Sequence, residues 1–300
     1  MEQLLPDQLK ALWQFVDRGE MSLEAFEAQQ ARMLGICRGV WADALRLEGY
    51  DDLQESLLAE LGQYVGCDDR EQIANRCRGA VADLKRHWED RVDRHRRASV
   101  EQFYDESQAT IYELMWWHTL SDDLSPLAYV VALEYAKRHR CQSCLDFGAG
   151  VGSGVILFAR HGFDVAAADI ASPLRNFCRW RLARRGLAAT EFALQSGRLP
   201  SERFDMITAM DVFEHLVDPV ETVEHLWDAL RPGGFLFARF GCEPDEDHPM
   251  HIVENFEPTL ARLRQLGGVE VWRDEWLWGH QVFRKTPVSR PDGGSPRSSP

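Results

Sequence analysis

A glycine-rich stretch constrains this chain more than any other part of its sequence. Residues 144–154 read CLDFGAGVGSG, with Gly148, Gly150 and Gly152 at alternate positions. The apolar residues before the glycines predict a buried strand, and the run VILFA at 155–159 fits a helix. Glycine suits such a strand–turn–helix because it allows positive φ angles and lets a ligand approach the backbone. The unpaired N–H groups at the start of the helix favour an anionic part of that ligand.

An acidic residue follows at the interval expected for a nucleoside site. Asp169 ends a second apolar run, 165–168, and lies 21 positions after Gly148. A carboxylate at the tip of the next strand can accept hydrogen bonds from ribose hydroxyls. A structural turn would explain the glycines alone, but the carboxylate at this interval favours a nucleoside-type ligand.

The details of the glycine stretch resemble one family. A dinucleotide site needs its third glycine at the position of Ser153. With Asp146 two residues before the first glycine, the stretch instead resembles the first motif of class I S-adenosylmethionine (SAM)-dependent methyltransferases. The resemblance covers roughly residues 127–285. It continues in AMDVFEHL at 209–216, which resembles the fourth motif of the subgroup of ubiquinone-biosynthesis O-methyltransferases, and in RPGG at 231–234.

The resemblance implies SAM as the cofactor, bound where parallel strands end. The first strand end would hold the methionine portion, and the second would hold the ribose and adenine. At the third, relatives often carry Asp where this chain has Gln195, whose carbonyl oxygen can still accept a hydrogen bond from the adenine amino group. The alternative for Gln195 is a surface loop residue. The implied cofactor-binding residues are Asp146, Phe147, Gly148, Ala149, Gly150, Gly152, Asp169, Ile170, Gln195, Asp211 and Val212.

Two histidines are the candidates for catalysis. A general base assists methyl transfer when the nucleophile is a hydroxyl or a protonated amine. His215 follows the predicted fourth strand, His251 lies in a loop after the fifth, and histidine can take a proton near neutral pH. The alternative for both residues is a packing or capping role.

A metal site is a competing hypothesis for the same place. Asp211, Glu214, His215 and His251 offer oxygen and imidazole ligands that suit a divalent cation. Small-RNA 2′-O-methyltransferases are similar here, with two carboxylates and two histidines on a metal. Because Glu-His is also common in relatives where it has no metal role, we expect no metal.

Alternating helical and strand patterns after residue 124 predict an α/β fold with a mostly parallel sheet. We expect a Rossmann-like methyltransferase domain over 124–285, with an antiparallel last strand as in the methyltransferases that the chain resembles. Helical spacing of apolar residues predicts an N-terminal all-helical region over 1–123, and a Pro-, Ser- and Gly-rich tail over 286–300 is predicted to be disordered. Strands are predicted near 142–147, 164–169, 189–194, 204–209, 234–240, 269–272 and 276–284.

Large side chains crowd the end of the helical region. They predict either a lid over the active site or an interdomain core. These residues are Phe103, Tyr104, Tyr112, Trp116, Trp117 and His118.

Composition limits the functional classes. A net charge of −14 argues against a nucleic-acid partner, because affinity for phosphates depends on Lys and Arg. No apolar run approaches the length of a membrane span and the start MEQ is unlike a signal peptide, so a cytoplasmic protein is expected. We therefore expect a SAM-dependent methyltransferase that acts on a small molecule, at oxygen before nitrogen or carbon. A methyltransferase of protein or RNA and a non-catalytic SAM-binding scaffold are the alternatives.

Overall fold

The computed structural model describes residues 3–195, 197–241 and 248–286. Apart from Thr286, the predicted disordered tail lies outside the described residues. Within the described part, no helix has both the length and the apolar composition needed to cross a membrane.

In the described chain, six helices precede residue 118. Short polar side chains start three of them: Ser22, Asp52 and Asp69 each accept a hydrogen bond from a backbone N–H group in the first helical turn. The helices are α1 (Leu5–Asp17), α2 (Leu23–Leu45), α3 (Leu53–Val65), α4 (Arg70–Arg91), α5 (Arg97–Glu106) and α6 (Ala109–Trp117).

Seven strands of the described chain form one sheet. They are β1 (Ser143–Phe147), β2 (Asp164–Asp169), β3 (Thr190–Ala193), β4 (Phe204–Ala209), β5 (Leu230–Arg239), β6 (Gly268–Arg273) and β7 (His280–Lys285). Their order in the sheet is β3-β2-β1-β4-β5-β7-β6. Neighbours among β1 to β5 pair in parallel, and β7 pairs antiparallel with β5 and β6. The predicted fold class, a mostly parallel sheet with an antiparallel last strand behind a helical region, is confirmed.

Helices connect the strands of this sheet. The connecting helices are α8 (Ser153–Arg160), α9 (Ser172–Arg184), α10 (Pro219–Ala229) and α11 (Glu257–Gln265), and α7 (Ala128–Arg138), which follows a 3₁₀ turn at Ser125–Leu127, leads into β1. The strand order reverses between β1 and β4, so a crevice opens outside their carboxyl ends.

Apolar side chains cover both faces of the sheet. Successive residues of β4 enter different clusters, Met206 on one face and Ile207 on the other, as the alternation of a strand requires. The cluster with Met206 also contains Trp41 and Met115 of the helical region. The cluster with Ile207 includes Leu226 of α10. The N-terminal helices therefore share a core with one face of the sheet.

Candidate active site

A cavity of about 850 Å³ lies between the carboxyl ends of the strands and the helical region. Its strand side includes Gly148 after β1, Asp169 at the end of β2 and Asp211 after β4. Its helical side includes Tyr104 of α5 and Glu113 of α6. The site is therefore built by both parts of the chain.

The turn after β1 has the backbone that its glycines predict. The φ angles are +71° at Gly148 and +53° at Gly150, where residues with a side chain are disfavoured. A Cβ on Gly148 would lie 2.5 Å from Cγ2 of Val212, and one on Gly150 would lie 2.8 Å from Cδ1 of Leu114. Both glycines line the cavity, so the bare backbone forms part of its wall.

Asp169 braces that turn from the neighbouring strand. Its Oδ2 accepts a hydrogen bond from the backbone N–H of Gly150 at 2.8 Å, and its Oδ1 accepts one from Ala171 at 2.8 Å. Burial raises the pKa of the carboxyl, although both bonds favour its ionised form. Each oxygen has a second lone pair, so Asp169 can still accept hydrogen bonds from ribose hydroxyls.

Most of the predicted cofactor-binding residues meet at this cavity. Eight of them line it: Phe147, Gly148, Ala149, Gly150, Asp169, Ile170, Asp211 and Val212.

The other three predicted residues lie outside the cavity lining. Asp146 is buried behind the turn, where its Oδ1 accepts hydrogen bonds from the hydroxyls of Thr208 at 2.7 Å and Tyr129 at 3.2 Å. Burial raises the pKa of Asp146 to about 7. Gly152 packs against Cys178 of α9, and Gln195 has an exposed side chain. Direct cofactor contacts by these three residues stay predictions.

The turn after β4 carries an ion pair. Asp211 has a φ of +49°, which is uncommon for a residue with a side chain and is found often at functional sites. Its carboxylate pairs with the guanidinium of Arg239 at 2.9 Å. Arg239 was not predicted as a site residue, although a charged residue that ends the apolar strand FLFAR is a signal for one.

The two predicted histidines come together at this end of the cavity. His215 lies in a 3₁₀ turn, Phe213–His215, and its ring centroid is 4.9 Å from that of His251. Burial lowers the pKa of His215 to about 4, with the nearby imidazole of His251 adding to the effect. The His215 imidazole is therefore neutral near physiological pH and has a ring nitrogen with a lone pair, although the same burial makes it a weaker base than a free imidazole.

Glu214 completes a cluster that could hold a cation. One potential ligand atom each from Glu214, His215 and His251 lie within 4.8 Å of one another. Among the described residues, Oε2 of the buried Glu214 has no hydrogen-bond partner. Burial and the nearby Asp211 raise the pKa of Glu214 to about 8. The expectation of no metal and its alternative both stay predictions.

Some of the aromatic residues at the end of the helical region line the cavity, and others lie in the core. Tyr112 is buried in the core, whereas the indole N–H groups of Trp116 and Trp117 donate to Asp122 at 2.9 Å and Asp123 at 3.0 Å, which orients both rings. The members of the predicted group that line the cavity are Phe103, Tyr104, Trp116, Trp117 and His118.

Glu113 also lines the cavity, and no sequence pattern singled it out. Burial raises the pKa of its carboxyl to about 7. A glutamate within a helix is usually a solvated side chain, and only the position of α6 beside the cavity turns this one inward.

Comparison with known proteins places this geometry in a family. A family model described as a methyltransferase domain matches residues 116–285. The ubiquinone biosynthesis O-methyltransferase of Aromatoleum aromaticum is 30% identical, with 52% of this chain and 77% of the relative covered. A protein of the same name from Histophilus somni is 27% identical, and the chain spans about half (56%) of its length while 41% of this chain is covered.

A solved structure shares the fold. It is a SAM-dependent methyltransferase of Leishmania major, with a TM-score of 0.50 and 17% identity, and the match covers 67% of this chain and 90% of that one.

The residues present also fit the cofactor that the sequence implies. A Cβ would fill the wall at Gly148 and Gly150, and Asp169 stands beside that wall with lone pairs to spare. The matched region, which is more than half of the chain, contains all of these residues. This chain therefore belongs to the methyltransferase domain family and is a SAM-dependent methyltransferase.

Proposed function

We propose that this enzyme methylates a small-molecule acceptor and that the acceptor atom is oxygen. The observation that supports the proposal is one cavity of about 850 Å³ that contains both the glycine turn and the neutral His215. A cavity of this size suits a small molecule beside a nucleoside. The two relatives described above are O-methyltransferases by name, which agrees with oxygen.

Cofactor binding is assigned to the first two strand ends. The backbone of Gly148 to Gly150 and the carboxylate of Asp169 bind and orient SAM, with Ile170 beside the adenine. Asp146 and Gly152 support the turn from behind. SAM supplies a methyl group that its sulfonium already activates, so alignment matters more than covalent help.

Acceptor activation is assigned to the two histidines. His215 or His251 would take the proton of the acceptor hydroxyl on an imidazole nitrogen, while the cofactor would supply the methyl group and leave as S-adenosylhomocysteine. The aromatic side chains of α5 and α6 that line the cavity limit the entry of water; they are Phe103, Tyr104, Trp116 and Trp117. Proton transfer of this kind contributes on the order of a hundredfold or more to the rate.

Cofactor binding is tested by isothermal titration of SAM and S-adenosylhomocysteine against the intact protein. Asp169→Ala should weaken binding by at least about tenfold, since it removes a charge-assisted acceptor and loosens the glycine turn. Asp164→Ala is the matched control, because Asp164 is an exposed carboxylate at the opposite end of the same strand. Equal loss in both variants would contradict the assignment of Asp169.

The acceptor class is tested by transfer of tritiated methyl groups to a fractionated lysate. Label in small metabolites is expected, with at least tenfold less in His215→Gln or His251→Gln. Label in protein or RNA would contradict the small-molecule proposal. Binding of SAM without transfer to any fraction would favour the scaffold alternative.

Metal removal separates the proposed base from a metal site. Incubation with a chelator followed by gel filtration should leave the transfer rate unchanged, because the proposal has the imidazoles take the proton. A loss of activity that Mg²⁺ or Mn²⁺ restores would instead assign Glu214, His215 and His251 to a cation.

A further inference from the structure

We infer that Tyr104 is a positioning residue for His215, so that the helical region holds the ring of the proposed base in one orientation. The inference rests on the proposed function in one respect, which is the role of His215. Its structural part concerns the hydrogen bonds of one ring nitrogen and stands on geometry alone.

Nδ1 of His215 lies between two oxygen atoms. It is 3.1 Å from the main-chain carbonyl oxygen of Met250 and 3.0 Å from the hydroxyl oxygen of Tyr104. A carbonyl oxygen can only accept, so Nδ1 must carry the hydrogen when it bonds to Met250. In a neutral imidazole the lone pair is then on Nε2. Nε2 is therefore the atom that can receive a proton from the acceptor.

The Tyr104 hydroxyl reinforces this arrangement. Its oxygen lies within reach of the same N–H, so it shares the hydrogen with Met250 and keeps the ring from flipping. Burial, together with the carboxylates of Glu113, Glu214 and Asp169, raises the pKa of Tyr104, so the group stays a neutral hydroxyl. Its own hydrogen remains available to donate.

The two residues that contact Nδ1, Met250 and Tyr104, pack in one small apolar cluster. Met250 packs with Trp88 of α4 and Phe103 of α5, and the Tyr104 ring packs against this cluster. The Phe103 ring meets that of Tyr104 edge-on at 5.1 Å and that of Trp88 at 5.0 Å. The carbonyl and the hydroxyl are thus held relative to each other, and the imidazole between them has one preferred orientation.

The consequence concerns the role of the N-terminal region. Tyr104 and His215 are 111 residues apart, in the helical region and in the α/β part of the chain. The helical region then orients the residue that takes the proton, in addition to covering the cavity.

The test compares Tyr104→Phe with Tyr112→Phe in the full chain. Both remove one hydroxyl from a tyrosine of the helical region and keep the ring, but Tyr112 is buried in the core and does not line the cavity. In ¹⁵N-histidine-labelled protein, His215 should show the Nδ1–H tautomer in wild type and in Tyr112→Phe. Tyr104→Phe should keep that tautomer, because the Met250 carbonyl remains, but should shift and broaden the His215 signals, because the ring loses one of its two contacts at Nδ1. The His215 signal is assigned from its absence in His215→Gln.

Kinetics provides the second readout. Tyr104→Phe should lower kcat about tenfold, which is the loss of one hydrogen bond in the transition state, and leave the SAM dissociation constant unchanged. His215 signals of unchanged position and width in Tyr104→Phe, together with unchanged kcat, would overturn the inference. If wild type transfers no methyl group, the proposed function fails, and the comparison of the His215 signals still decides the structural part.

A second substitution guards against misfolding of the phenylalanine variant. Tyr104→trifluorotyrosine keeps the ring and the hydroxyl but changes the acidity of the O–H. A shift of the His215 Nδ1 resonance is expected if the two groups are hydrogen-bonded. An unmoved resonance would overturn the inference.

Discussion

At the scale of single residues, the cofactor site depends on the absence of a Cβ atom at Gly148. Gly148 and Gly162 both have positive φ angles, +71° and +84°, so either change to Ala strains the backbone by about 1–2 kcal/mol. Only at Gly148 would the new Cβ also meet Val212, a stiff side chain that lines the cavity. Nothing lies within 4 Å of the position at Gly162.

Gly148→Ala is therefore expected to lower both stability and SAM affinity, the latter by at least about tenfold, whereas Gly162→Ala lowers stability alone. Urea denaturation and isothermal titration measure the two effects separately. An equal loss of affinity in Gly162→Ala would show that strain anywhere in this region, rather than the bare backbone at Gly148, governs binding.

A second residue-scale prediction concerns the buried Asp146. Burial raises the pKa of its carboxyl from 3.8 to about 7 in the folded state. Between these values the folded protein holds a proton that the unfolded chain has released. The free energy of unfolding therefore decreases as pH rises from about 4 to about 7, by up to about 1.4 kcal/mol per pH unit for this one group.

Asp146→Asn removes that dependence, because an amide does not titrate, while its carbonyl oxygen can still accept from Thr208 and Tyr129. Denaturant unfolding at pH 5, 6, 7 and 8 should give a shallower decline in the variant than in wild type. The exposed Asp164→Asn is the control and should follow wild type. Parallel curves for wild type and Asp146→Asn would contradict the raised pKa.

At the scale of elements, the pattern of apolar residues predicts the strands of the sheet, but local hydrogen bonds change where β5 and β7 begin. Strand β5 begins at Leu230 rather than near 234, because Leu230 pairs with Phe204 across an irregular register and the RPGG turn is drawn into the strand. Strand β7 begins at His280 rather than at 276. The Asp274 carboxylate accepts hydrogen bonds from the backbone N–H groups of three successive residues, Trp276, Leu277 and Trp278. These bonds fold the aromatic run into a turn, although its sequence pattern predicts a strand.

The same division applies to the candidate site. The glycine turn, Asp169 and the two histidines are predictable because each is a local motif tied to a strand end. Tyr104, Glu113 and Arg239 are not, because their roles depend on which helix face or strand end meets the cavity after folding. Long-range packing is the information that a single sequence does not display as a pattern.

One element-scale contact ties the helical region to the glycine turn. Glu60 of α3 is buried and accepts hydrogen bonds from the guanidinium groups of Arg181 of α9, at 3.1 Å, and of Arg185, the residue directly after α9. Arg181 in turn donates to the carbonyl oxygen of Val151 at 2.8 Å and to Oγ of Ser153 at 3.0 Å. The buried network therefore reaches from α3 to the start of α8.

Glu60→Gln leaves two buried guanidinium groups without their counter-charge, so the free energy of unfolding should fall by about 3–5 kcal/mol. The matched control is Glu55→Gln on the same helix, whose exposed carboxylate is 4.0 Å from Arg70 and should contribute less than about 1 kcal/mol. Guanidinium denaturation of both variants measures the difference. A loss as small as that of Glu55→Gln would contradict a structural role for the network.

At the scale of the whole molecule, the core does not stop at the predicted boundary between 1–123 and 124–285. One apolar cluster contains Leu9 of α1, Trp41 of α2, Leu133 of α7 and Ile156 of α8. The Glu60 network crosses the same boundary. We propose that the two predicted regions, distinct in pattern, unfold as a single cooperative unit.

Calorimetry tests this proposal on the intact chain. One heat-absorption peak is expected, with equal calorimetric and van't Hoff enthalpies, because separating the helices from the sheet would expose the shared cluster. Glu60→Gln should shift that whole peak to lower temperature, since a weakened contact between parts of one unit destabilises both. Two resolved peaks, of which only one moves in the variant, would show instead that the helices melt independently of the sheet. In that case the helices that carry Tyr104 would unfold while the glycine turn stayed folded. SAM would then stabilise only the peak that belongs to the sheet.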